Sequence, residues 1–119
     1  MRALELMKRL ENLHYWDARL LNLEAKHFGD EITLIFEDNE YNIKLSFTGC
    51  SMFKLTTSEE DRIQPLRELS KSQIPYFIQD INITEYESKI DIPLLIVEIS
   101  VPPLNIEITF TNLKIEKIS

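Results

Sequence analysis

Apolar residues fall on alternate positions at Ile32, Leu34 and Phe36, and again at Tyr41, Ile43, Leu45 and Phe47. A period of two puts one set of side chains on a buried face and the other in water, the pattern of a half-buried antiparallel strand. The polar run Glu37-Asp38-Asn39-Glu40 between them supplies a turn, so the two strands are expected to form a hairpin. The alternation returns at Leu95, Val97 and Ile99 and at Leu104, Ile106, Ile108 and Phe110. Pro102-Pro103 lies between these two runs and belongs in a connection, because proline donates nothing to a strand ladder.

A single shift of 63 residues lays the first hairpin on the second, with Ile43 on Ile106, Phe47 on Phe110 and Thr48 on Thr111. The same shift carries Asp17 onto Asp80, so residues 17–55 and 80–118 read as two similar units of three or four strands. In the leading strand of each, the apolar phase changes, after Leu20 and after Ile83. One inserted residue flips the face that later side chains occupy, which predicts a β-bulge in both.

Residues 1–14 carry Leu4, Met7 and Leu10, flanked by Leu6 and Leu13, near the three-and-four spacing of an amphipathic helix. Residues 56–79 form the connection between the units; Ser58 before Glu59-Glu60-Asp61 is a good helix start, and Pro65 limits or restarts the helix. The expected fold is therefore α+β: an N-terminal helix on two antiparallel meanders joined by a short helical bridge, as one curved sheet or a sandwich. The expected core is Leu20, Leu23, Ile32, Leu34, Phe36, Ile43, Leu45, Phe47, Ile83, Leu95, Val97, Ile99, Ile106, Ile108 and Phe110.

Length and composition narrow the picture further. The 119 residues suit one domain, 1–119, large enough to fold on its core alone. Cys50 is the only cysteine, so there is no internal disulfide and no cysteine metal site. Glu5, Lys8, Arg9 and Glu11 interrupt the first residues, which argues against a signal peptide or membrane span and for a cytoplasmic location. The net charge of −7 disfavours nucleic acid and anionic membranes and favours a cationic protein. Gly29 and Gly49 are the only glycines, too few for a phosphate-wrapping loop, so no nucleotide cofactor is expected.

Chemistry has few candidates. His14, Asp17 and His27 lack the convergent third group that a metal or catalytic site requires, although His14 and Asp17 meeting in one pocket would mark a hydrolase. Cys50 has no cationic neighbour to activate it and reads as a strand residue. Glu37-Asp38-Asn39-Glu40 lacks the glycine and distal glutamate of a calcium loop, so no metal is assigned. Partner binding has better material. Tyr15 and Trp16 suit either an interface anchor or the plug between helix and sheet. The carboxylates Glu37, Asp38 and Glu40, with Glu59, Glu60 and Asp61, suit a solvated face or the basic cleft of a target.

The stretch WDARLLNLEAKHFGDEITLIFEDNEYNIKLSFTGC resembles the opening of small bacterial immunity proteins that accompany polymorphic toxins. That group has a His-Asp-x-x-Leu segment, three strands and a Phe-x-Gly close; the matching residues here are Asp17, Leu20, Leu34, Leu45, Phe47 and Gly49. Trp16 replaces the group's usual His, which removes one hint of a shared polar site. The resemblance covers the first half of the chain and implies a non-enzymatic, protein-binding inhibitor of a cationic toxin domain. The competing expectation is a structural module that self-associates, as a homodimer, through a sheet edge.

Overall fold

The computed structural model describes residues 2–38, 40–56, 76–86, 94–102 and 104–118. Among them the chain forms one helix, α1 (Arg2–Glu11), and eight strands: β1 (Leu20–Lys26), β2 (Glu31–Glu37), β3 (Asn42–Thr48), β4 (Met52–Thr56), β5 (Asp80–Tyr86), β6 (Leu94–Val101), β7 (Leu104–Phe110) and β8 (Asn112–Ile118). This corrects the α+β expectation: the protein is mainly β. The helix is too short to make a layer, and its buried Ala3, Leu6 and Leu10 pack against β5 rather than across a sheet. Leu4, expected in that stripe, points to solvent at 58% exposure, and Ala3 takes the inner position. Of the expected bridge, 56–79, residues 57–75 with Glu59, Glu60 and Asp61 lie outside the described residues, while Thr56 closes β4.

The strands form two antiparallel sheets, ordered β1-β2-β3-β8 and β4-β7-β6-β5. The expected units are therefore interlocked, since each gives its fourth strand to the other's sheet. The two hairpins match in register: Ile32 faces Phe47 and Leu34 faces Leu45 in one, while Leu95 faces Phe110 and Val97 faces Ile108 in the other. Every pair is displaced by 63 residues, as the alternation predicted.

The crossing happens at one corner. Beyond Thr48 the chain runs through Gly49, Cys50 and Ser51 into β4, and beyond Phe110 it runs through Thr111 alone into β8. There the Thr111 backbone N–H and Oγ1–H both donate to Thr48 O, each at 3.0 Å, and Ser51 N–H donates to Thr109 O at 2.9 Å. Antiparallel pairing thus continues along β3 and β4 against β8 and β7, and the bent ribbon folds one sheet over the other. Gly49 is required here, because its φ is +63° and an added Cβ would collide with the Thr111 side chain.

Away from the corner the repeat loosens. Leu34 pairs with Leu23, but the displaced position Val97 pairs with Ile83, so the leading strands match at 60 residues instead of 63. Asp17 lies before β1 and Asp80 opens β5, so the two do not occupy equivalent positions. A bulge interrupts β1 between Leu20 and Asn22, as expected. None occurs in β5, whose register runs unbroken from Asp80 to Tyr86. Ile81 and Ile83 keep one phase there, and Thr84 is simply the exposed residue that follows them.

Both inner faces feed one apolar cluster, which contains every expected core residue in its buried set except Leu23, half-buried against it. Val101 and Leu104 extend the alternating runs of β6 and β7 into it, and Tyr15, Tyr76, Ile78, Ile81 and Leu113 join it from segments without clean alternation. The helix covers the outer edge of β5: Tyr15 Oη donates to Ile81 O at 3.2 Å and accepts from Ile81 N–H at 3.3 Å. Glu85 Oε1 accepts from Ala3 N–H at 3.1 Å, supplying a carboxylate to the positive end of the helix. An edge that would otherwise invite another strand is thereby closed.

Candidate functional site

His14 and Asp17 adopt left-handed backbone conformations, with φ of +52° and +64°. These are residue types that tolerate that region, and together they bracket Tyr15 and Trp16. The two turns send Tyr15 into the core, 1% exposed, and leave Trp16 outside at 46%. The rings still stack, with centroids 4.3 Å apart and planes 29° apart, so the buried, hydrogen-bonded tyrosine holds the tryptophan in place.

The chain then pairs with the segment leading into β5. Asp17 N–H donates to Ile78 O, Ile78 N–H to Ala18 O, and Leu20 N–H to Tyr76 O, all at 2.8 Å. This short ladder brings Arg19 opposite Phe77, and the Arg19 guanidinium sits over the Phe77 ring, 5.2 Å from its centre. Glu37 N–H donates to Arg19 O at 2.9 Å, which draws the end of β2 to the same place.

An open cleft of about 440 Å³ results. Trp16 and Phe77 provide its apolar surface, Asp17, Glu37 and Asp38 its carboxylates, and Arg19 and Lys117 its cations. Glu40 and Tyr41 follow on the exposed turn beside it, with Lys117 Nζ lying 5.9 Å from the centre of the Tyr41 ring. Large rings flanked by charge are the composition of an interface centre and rim.

Of the residues singled out in the sequence, Trp16, Glu37 and Asp38 meet in this cleft and Glu40 lies on the adjoining turn. Tyr15 is buried and presents no surface to a partner. Glu59, Glu60 and Asp61 fall outside the described residues. Sequence reasoning missed Arg19, three residues beyond Trp16, and Phe77 and Lys117, which enter from distant segments.

His14 and Asp17 also line the cleft, the convergence a hydrolase would need. Among the described residues the lining holds no hydroxyl or thiol beside them. Cys50 lies at the corner between the sheets, where its thiol donates to Phe47 O at 3.3 Å. Burial pushes that thiol up to about 11, aided by the carboxylates of Asp30 and Glu31, so it stays protonated and unreactive at neutral pH. Among the described residues no three His, Cys, Asp or Glu side chains are grouped to hold a metal ion.

A search of curated proteins finds no match to this chain. Residues 2–117, spanning the helix and both sheets, match the family described as Immunity protein PIM7. An immunity protein implies a toxin as its protein partner. With almost its whole length matched, the chain belongs to the PIM7 family of immunity proteins.

Proposed function

We propose that the chain is a non-enzymatic inhibitor that binds a cationic toxin domain through the Trp16 cleft and its acidic rim. The observation carrying this reading is the placement of an exposed tryptophan, stacked on a buried tyrosine, directly beside Glu37 and Asp38. A ring held in one orientation loses little freedom on binding and concentrates contact energy. The surrounding carboxylates, backed by a net charge of −7, speed encounter with a basic surface and oppose acidic ones.

Titration calorimetry against the toxin domain recovered with the chain by pull-down from its native cell tests the reading. The triple variant Glu37→Gln, Asp38→Asn, Glu40→Gln should bind more weakly and with a shallower salt dependence. Unchanged affinity and salt slope would remove this surface from the account. Self-association through a sheet edge has its best place at β4, where Met52 and Leu55 are exposed on either side of Phe53 and Lys54. Light scattering of the chain alone separates the readings, since self-association predicts a dimer without any partner.

A further inference from the structure

The hairpin between β1 and β2 ends in His27-Phe28-Gly29, where three consecutive residues have positive φ, of 52°, 58° and 92°. Glycine occupies that region freely, but phenylalanine does so against its own Cβ. Phe28 is also 112% exposed, more than in the reference extended chain, so its ring gains nothing from the core. An Asn-Gly pair would make such a turn without strain and without wetting an aromatic ring. Both the backbone and the side chain of Phe28 are therefore poorly served by the free protein.

The tip is nonetheless held in place. Asp30 N–H donates to His27 O, and Cys50 N–H donates to Asp30 O, each at 3.1 Å, which ties the turn to the corner between the sheets. Around its base stand Glu24, Asp30 and Glu31, with Lys26 3.9 Å from Glu24 and His27 3.9 Å from Glu31. The ring thus projects from a collar in which carboxylates outnumber cations.

We infer that Phe28 is a second anchor, inserting into an apolar pocket with a basic rim on the same toxin that the Trp16 cleft engages. This rests on the toxin-binding reading above. The cleft and the tip lie at opposite ends of β1, roughly 20 Å apart for a seven-residue strand. That separation lies within the footprint of one ordinary protein interface, about 800 Å² per partner. Charge argues against a second copy of the chain as occupant: each carries −7, and docking tip to tip would bring two acidic collars together.

Phe28→Asn and Phe28→Gly separate this role from a structural one. Both replace a strained aromatic with a residue suited to positive φ, so the urea midpoint should hold or rise while affinity for the toxin domain recovered by pull-down falls at least about tenfold. Wild-type affinity in both variants overturns the inference and leaves the Trp16 cleft standing. A lowered midpoint in both variants would make Phe28 structural and overturns it too. If the wild-type chain forms a dimer that Phe28→Asn dissolves, the ring docks on a second copy and the toxin pocket is wrong. A wild-type chain that does not bind the toxin at all removes the toxin-binding reading and this inference with it.

Discussion

Phe47 and Phe110 occupy corresponding positions in the two hairpins, and their rings touch edge to face, with centroids 4.9 Å apart at 73°. The pair joins the two matching hairpins inside the shared core. Both rings are fully buried. Replacing either with alanine should cost about 3–5 kcal/mol in urea unfolding, and the double variant should cost less than the sum because the rings share one contact. Strict additivity would show that the rings do not support one another.

The corner beside that pair leaves no room for a side chain at Gly49. Gly49→Ala puts a methyl group against Thr111 at a backbone φ of +63°, and should cost on the order of 1–3 kcal/mol. Gly29→Ala is the control, since its φ is also positive, +92°, but nothing lies within 4 Å of the added carbon. Adding Thr111→Ala to Gly49→Ala should return part of the loss, even though the hydroxyl's bond to Thr48 O goes with it. Equal effects at Gly49 and Gly29 would place the whole cost in the backbone angle and none in the crossing.

Tyr15→Phe preserves the ring but leaves Ile81 N–H and C=O without their side-chain partner on the edge of β5. Thermal or urea unfolding should register a loss of about 1–3 kcal/mol, the cost of stranding buried polar groups. A loss near zero would mean that water serves that edge as well as the hydroxyl does.

Stability should fall in alkali. Cys50 is a neutral thiol in the fold, with burial as the main cause of its pKa rising from 9.0 to about 11. Burial likewise raises Tyr15 above 10.0. For an acid raised on folding, the unfolded chain loses its proton first, so the stability is complete below the unfolded pKa and drains as pH climbs through the folded one. Urea midpoints should therefore hold to about pH 9 and decline toward 11, and Cys50→Ala should flatten the first part of the decline. A midpoint that rises over that interval would reverse the sign.

How much of this was legible beforehand depended on whether the signal was local. The hairpins could be read because alternation over six or seven residues sets both face and register, and Leu34 and Val97 landed where the pattern put them. The exchange of fourth strands could not, since it turns on a few residues, Gly49 to Ser51 and Thr111, whose importance exists only when the two segments meet. The α+β expectation gave a ten-residue helix the weight of a layer, whereas it covers one strand edge. For the site, Trp16, Glu37 and Asp38 stood out as chemistry, but Arg19, Phe77 and Lys117 became neighbours only through pairing between the segments before β1 and β5 and through β8. Phe28 was not singled out in the sequence, and only its positive φ and complete exposure gave it meaning.

Hydrogen–deuterium exchange of the chain with and without the toxin domain recovered by pull-down probes the binding account most directly. Amides at 14–20 and 37–41 around the Trp16 cleft should exchange more slowly in the complex, along with those of the 27–30 tip. Unaltered exchange across all of them, with new protection appearing instead along the outer face of α1 or the edge of β4, would contradict it.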